Sequence, residues 1–290
     1  KRRFGSSWRR LSIAVTMRPA VSGRPGKLWV RPVSSPDLAS LWGVVDLSVG
    51  QSRHWQIGRR RLWLRRESGR WLYASDLEGS GTVDAVVSEA RKGEEIPWKS
   101  IMGLREEVPL LLPALPDKPV LLKAPNPVQI LPGGELSLVV AVPAWLRLEA
   151  GTAIFDLGTD KASRTWFGDP QAGEAAYALE IADWMVGTTA QKGRSHINVP
   201  LKITNESQGL LSFQRLLVRV VHLTLYEEAS SLYTNDVSVT FRSVTQYSHL
   251  NFSSRSSLDG GNGHLLQEPR QKVPDNLIRR SFLFFRGLAE

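Results

Sequence analysis

The sequence predicts an all-β protein of antiparallel β-sandwich type: an N-terminal β-meander, a larger C-terminal sandwich and a short C-terminal amphipathic helix. Three observations carry this. From Lys27 onward, short apolar runs alternate with turn residues every eight to fifteen positions, the rhythm of an all-β chain. Alternation of period two is clean in Arg61-Leu62-Trp63-Leu64-Arg65 and in Ile197-Asn198-Val199-Pro200-Leu201-Lys202-Ile203, as in strands with one face on a core and one in water. Apolar residues make up 42% and charged residues 22% of the chain, the balance of a globular protein long enough to bury a substantial core.

Taken in order, residues 27–33, 41–49, 54–57, 61–65 and 70–75 read as strands separated by Gly50, Gly58 and the Glu67-Ser68-Gly69 turn, which makes a small antiparallel meander over 28–107. Residues 77–103 are poorer in apolar side chains and read as a connector in which 83–92 forms a short helix. The proline-dense stretch 108–127 predicts extended segments and edge positions, a bridge between two sheets or domains. Residues 128–131, 135–142, 144–149, 152–157, 175–181, 197–204, 210–226 and 237–244 read as the strands of a sandwich over 108–250, with Pro132-Gly133-Gly134 turning between two of them. The Ser/Gly/Gln/Asn-rich stretch 251–274 is expected as a flexible linker. In 275–290, Asp275 is a helix cap, and Ile278, Phe282 and Phe285 recur at helical spacing with Arg279 and Arg286 toward the polar side.

The net charge of +9 is concentrated at one end. Lys1, Arg2, Arg3, Arg9, Arg10, Arg18, Arg24 and Lys27 stand in a stretch with no Asp or Glu, so eight of the nine net charges belong to 1–27 and the rest of the chain is nearly neutral. This arm is expected to be disordered. Because the chain begins with Lys1 and Met17 shortly precedes the first strand-like run, 1–16 are expected to lie upstream of a natural start. No stretch approaches the ~20 apolar residues of a membrane-spanning helix, and no signal-peptide pattern stands at the N-terminus. A soluble, cytoplasmic protein is the expectation. The absence of cysteine excludes disulfides, thiolate nucleophiles and cysteine-ligated metals.

Three sets of residues bring a family into view. They are His54-Trp55-Gln56-Ile57-Gly58 with Leu62-Trp63-Leu64-Arg65-Arg66 and Arg70-Trp71; Pro116-Asp117-Lys118-Pro119-Val120 through Val142-Pro143-Ala144-Trp145-Leu146-Arg147-Leu148; and Thr165-Trp166-Phe167-Gly168-Asp169-Pro170 with Gly173-Glu174 and Tyr177-Ala178. Together these segments resemble the uncharacterised prokaryotic family catalogued as domain of unknown function 432, over residues 41–288. In that family an apolar-Cys-Tyr sequence follows the position of Glu174. Here Ala175-Ala176-Tyr177 stands instead, so no cysteine role carries over. The resemblance implies the domain extent and a cytoplasmic setting but no catalytic residue. Some members are encoded beside small mechanosensitive channels, which implies a membrane-adjacent partner.

Chemistry-bearing patterns are sparse. The five histidines, His54, His196, His222, His249 and His264, include no pair at metal-ligand spacing, and His222 reads as a hydrogen-bonded core residue within a strand. There is no Gly-x-Ser-x-Gly elbow, and Gly260-Gly261-Asn262-Gly263 lacks the ending of a phosphate loop. No metal and no cofactor is predicted. Trp166, Phe167, Asp169, Glu174 and Tyr177 form a candidate ligand-binding loop in which aromatics flank two acids; Asp169 and Glu174 would serve a carbohydrate-active hydrolase only if their carboxyls converge. The bland reading makes Asp169-Pro170 a turn with Trp166 packed on it. Arg61, Trp63, Arg65 and Trp71 form a candidate basic and aromatic face for nucleic-acid bases, against the alternative that the tryptophans are core and the arginine stems cover them. Arg279, Arg280, Phe282, Phe285 and Arg286 are candidate contacts of the tail with a protein partner or a membrane surface. The expectation is a non-enzymatic interaction or ligand-binding β-module with a partner- or membrane-contacting tail.

Overall fold

The computed structural model describes residues 41–78, 84–89, 95–101, 107–161, 163–171, 173–182, 184, 193–243, 248–260, 263–273, 278–279 and 281. The expected arm at 1–27, the expected strand at 27–33, Met17, and the tail residues Arg280, Phe282, Phe285 and Arg286 lie outside the described residues. The first third contains β1 (Gly43–Val44), β2 (Ser52–Ile57), β3 (Arg60–Glu67), β4 (Arg70–Asp76), β5 (Ala85–Glu89) and β6 (Lys99–Ile101). The middle contains β7 (Leu110–Ala114), β8 (Val120–Ile130), β9 (Glu135–Pro143), β10 (Trp145–Ala150), β11 (Ala153–Leu157), β12 (Ser163–Phe167) and β13 (Glu174–Glu180). The remainder contains β14 (Gly193–Asn205), β15 (Leu211–Val218), the 3-10 turn η1 (Val220–His222), β16 (Leu225–Glu228), β17 (Ser231–Thr234), β18 (Val237–Phe241), β19 (Ser248–Phe252), β20 (His264–Gln267) and β21 (Ile278–Arg279). Among the described residues η1 is the sole helical element, and no helix is long and apolar enough to cross a membrane.

The described strands form four sheets. The meander is the five-stranded sheet β5-β2-β3-β4-β6; β1-β7-β10-β11 and β12-β13-β8-β15 are four-stranded; the largest runs β20-β16-β17-β14-β18-β19-β21, with β9 on the other side of β14. The helix expected over 83–92 is replaced, at Ala85–Glu89, by a strand paired antiparallel with β2. β2 has a free edge there, and Val86 and Val87 suit an edge strand better than an isolated helical turn. The proline-dense stretch is more central than expected, since β8 lies between β13 and β15. Pairing with β13 ends at Lys123, and the register with β15 skips from Lys123 to Val128, so Pro125 and Pro127 fall where neither neighbour needs their missing N–H. Pro200 in β14 is accommodated by the same device. It lies between Asn198, the last residue paired with β17, and Leu201, the first paired with β18. The strand expected over 210–226 is broken by η1, which takes His222 out of the ladder; its Nδ1 lies 3.1 Å from the Gln271 carbonyl.

One core joins the meander to the rest. Trp55, Ile57, Leu62, Leu64 and Trp71 belong to the same buried cluster as Leu111, Leu122, Leu146, Val199 and Phe241. The period-two pattern puts Leu62 and Leu64 fully inside, yet Trp63 on the opposite face is 3% exposed, because His54 stacks on it at 4.8 Å and the Arg61 guanidinium lies 5.0 Å from its ring. The segment expected as a linker carries β20 and is fastened to the body. Arg270 donates to the Leu115 carbonyl and to Asp156 (2.5 Å), which Arg147 also holds at 3.0 Å, and the Gln271 amide bonds the Val221 carbonyl at 2.9 Å. In the segment expected as a helix, Ile278 and Arg279 pair with His249 and Ser248 of β19, and the Ser281 carbonyl accepts the Leu217 amide of β15 at 2.8 Å. The open edges of two sheets there offer the tail backbone partners that an isolated helix would have to find within itself.

Candidate functional site

A cleft opens where β9 turns into β10. The chain leaves the largest sheet at Pro143 and enters another at Trp145, with the fully buried Ala144 at the corner donating to the Ser195 carbonyl at 2.9 Å. Opposite lie the loop before β8 and the strand β13. The cleft is lined by Pro116, Val120, Val142, Pro143, Leu179 and Ala178 on its apolar side, with the half-buried Trp145 and the buried Tyr177 in contact (ring centroids 5.4 Å), and Asp160 and Lys161 at its mouth. Its volume is about 50 Å³. Gly158 approaches the indole closely: a Cβ there would stand 3.3 Å from the Trp145 ring.

The Tyr177 hydroxyl in the cleft wall is already engaged. The Tyr177 hydroxyl donates to Asp117 Oδ1 at 2.8 Å, Lys118 Nζ donates to Asp117 Oδ2 at 2.6 Å, and the same ammonium stands 5.5 Å from the Tyr177 ring. Burial opposes ionisation of Asp117, but the hydrogen bonds from Lys118 and Tyr177 hold its carboxyl below the usual range. Burial and then the neighbouring Asp117 push the Tyr177 hydroxyl up. At neutral pH the trio is carboxylate, ammonium and neutral phenol, each satisfied by another, an arrangement that fixes shape and offers no poised general base. Asp160 accepts the Lys161 amide at 2.7 Å and faces Arg59 at 3.9 Å.

Of the five residues of the predicted loop, only Tyr177 reaches this cleft. Trp166 is half exposed on the edge strand β12, its Nε1 donating to the Asp169 carbonyl at 2.9 Å; Phe167 is buried with Leu121, Ala176 and Leu217. Asp169 closes the turn, its carboxylate accepting the Gln171 amide and its carbonyl the Gly173 amide. A Cβ on Gly173 would fall 2.4 Å from Trp166 Nε1 and 2.5 Å from the Phe167 carbonyl, which explains the glycine in chemical terms. Glu174 pairs with Arg219, whose side chain is buried. On the meander, Trp63 and Trp71 are both buried; Arg61 is bidentate to Asp76 (2.8 Å for both bonds), Arg65 faces Glu67 at 3.7 Å, and Arg66 lies 5.8 Å from the Trp71 ring. Of the five candidate tail contacts only Arg279 is described, and its backbone is committed to β21.

A second cluster escaped the sequence reading because its members lie far apart in the chain. The Asp84 carboxylate accepts the backbone amides of Arg194 (2.8 Å) and Ser195 (2.7 Å) and the Ser195 hydroxyl, while Ser195 Oγ lies 3.0 Å from His196 Nδ1. Burial pushes the His196 imidazole toward the neutral form against the pull of Asp84 and Asp160. The residue types are those of a hydrolytic triad, but the order is not: the carboxylate binds the serine rather than orienting the imidazole, and it fills the amide pair that an oxyanion would need. The cluster clamps the segment before β5 onto the start of β14. Among the described residues no group of three or more His, Asp or Glu side chains is placed to hold a metal ion.

Comparison with curated proteins and with solved structures finds no match. A family model does match, the one described as a protein of unknown function (DUF432), over residues 41–286. Of the segments that carry the resemblance, 116–120, 142–148 and 177–178 contribute residues to the cleft, 165–174 builds the turn beside it, and 54–58, 62–66 and 70–71 lie in the meander. The chain belongs to the DUF432 family.

Proposed function

We propose that this protein is a recognition module, not a catalyst, and that the Trp145–Tyr177 cleft takes a single apolar side chain from an extended protein segment. The observation that carries the reading is the combination of size and chemistry. A volume of about 50 Å³ falls well short of the ~300 Å³ at which small-molecule sites begin, and it suits one anchoring side chain of the kind that dominates protein interfaces. The walls are apolar and aromatic, and the Tyr177 hydroxyl is held by Asp117, so a guest gains burial without breaking that hydrogen bond. Hydrolysis by Asp169 and Glu174 has less support, because one carboxylate closes a turn and the other neutralises Arg219. Base stacking on the Arg/Trp sheet has less still, with the rings of Trp63 and Trp71 buried.

The test is anisotropy of a fluorophore-labelled, blocked seven-residue peptide of alternating threonine and valine with one central leucine, at micromolar protein. Saturable binding is expected, lost when the central leucine is aspartate and lost in Ala178→Trp, which fills the cleft. Equal binding of the leucine and aspartate peptides, or no binding of either by the chain and by its Leu131→Asp variant, contradicts the reading.

A further inference from the structure

β9 is the edge of the largest sheet, and it is an edge with a defined hydrogen-bonding phase. The ladder to β14 is flanked by two bonds in the same register, from the Ala144 amide to the Ser195 carbonyl and from the Asn205 amide to the Gly134 carbonyl. In an antiparallel ladder bonded pairs alternate, so the even-numbered residues of β9 turn their N–H and C=O groups to β14. The odd-numbered residues Glu135, Ser137, Val139 and Ala141 therefore turn theirs outward, and among the described residues no strand pairs with that side. Protection is confined to the ends: Glu135, already paired with Lys202 at 2.9 Å, and Pro143.

We propose that the occupant of this edge is β9 of a second copy of the chain, antiparallel about a twofold axis at Leu138. The inference rests on the reading of the cleft given above and names its guest. One register pairs every outward residue: Glu135 with Ala141 of the second copy and Ser137 with Val139, each pair repeated by symmetry. Sliding the strands either way leaves groups unpaired. No like charges meet along the seam, because Glu135 is the sole charged residue of β9.

This register has a consequence at the ends. It brings Leu131, which precedes β9 in the Pro132-Gly133-Gly134 turn, level with Trp145 of the second copy. Leu131 is 70% exposed, the largest exposure among the bulky apolar residues described. It follows directly on β8, which with β13 forms the wall of the cleft opposite β9. The cleft, about 50 Å³ and walled by apolar and aromatic side chains, suits a leucine side chain. Symmetry seats both leucines, which makes the interface isologous and closed.

Sedimentation of the full chain across micromolar to ~100 µM concentrations tests this. A monomer–dimer equilibrium is expected. Leu131→Asp should weaken it roughly thirtyfold or more, as loss of an anchor does. Ser137→Pro removes only an outward N–H and should weaken it comparably while the far-UV spectrum is kept. Ile154→Asp, on an exposed face elsewhere, should leave it unchanged. Because the chain has no cysteine, Ser137→Cys combined with Val139→Cys should oxidise to a covalent dimer, whereas Ser137→Cys alone should not. A chain that stays monomeric at the top concentration, or a dimer indifferent to both Leu131→Asp and Ser137→Pro, overturns the proposal. If the monomer nevertheless binds the leucine peptide, the cleft reading survives and its guest is another protein; if neither association occurs, both fall.

Discussion

Tyr177 sits where three interactions meet: a hydrogen bond to Asp117, a cation above its ring from Lys118, and a tilted contact with Trp145. Tyr177→Phe keeps the ring and removes the bond, so a loss of about 1.5–3 kcal/mol in denaturant unfolding is expected, the usual worth of a hydrogen bond to a charged group. A larger effect would mean that the cleft collapses without the hydroxyl. The acid and alkaline limbs of stability follow from the same residues. Asp117 and Asp156 have folded pKa values below their unfolded ones, burial being outweighed by hydrogen bonds from Lys118 and Tyr177 in one case and from Arg147 and Arg270 in the other. Their contribution is therefore full above about pH 4 and is lost as pH falls below it. Tyr177 and Tyr233 have raised pKa values, through burial and adjacent carboxylates, so their contribution is present below about pH 10 and is lost as pH rises beyond it. Thermal unfolding against pH should show a plateau between these limits, and Asp117→Asn should flatten the acid limb. At Gly173 any side chain strikes Trp166 and two carbonyls, so Gly173→Ala should cost upward of about 2 kcal/mol and shift Trp166 emission to the red.

At the scale of elements, what could be read was what repeats with period two. β9 places alternate side chains on the core, whereas β3 buries Trp63 as well as Leu62 and Leu64, and β14, expected to have one face in water, buries both faces over 197–201; the alternation, Gly58, Gly69 and the Pro-Gly-Gly turn still marked where β3 and β9 run. β5, β20 and β21 carry little strand signal because they are short edge strands whose conformation comes from the neighbour's free backbone; β5 and β20 also bury little of their own. The tail is the clearest case. A polar, glycine-containing stretch has linker composition, yet Arg270 fixes it by bonding the Leu115 carbonyl and Asp156, a long-range ion pair that composition cannot announce. Arg270→Met should cost about 2 kcal/mol, less than breaking a fully buried pair because Arg147 still holds Asp156. Hydrogen exchange should then quicken in β20 and at Gln271 while β14 stays protected; uniform exchange would mean that the strap and body unfold together.

For the whole molecule, the sequence located the charge and the class of the fold, and the mixed topology lay beyond it. β14 is parallel to β17 and β18 and antiparallel to β9, and β13 is parallel to β8, connections for which local pattern carries no signal. The candidate site was half legible. Tyr177 was singled out, but Trp145, Pro116 and Asp160 join it only through the corner at Ala144 and the packing of β13 on β8, and the aromatic–acid pattern at 166–174 drew the eye to a turn one strand away. The central claim is that the Trp145–Tyr177 cleft receives an apolar side chain. It is tested most directly by fluorine NMR of the 5-fluorotryptophan protein carrying Leu131→Asp, with the Trp145 resonance assigned by Trp145→Phe. Titration with the leucine peptide should move that resonance saturably and leave the buried Trp55, Trp63 and Trp71 signals in place; a Trp145 signal that stays fixed at millimolar peptide would contradict the account.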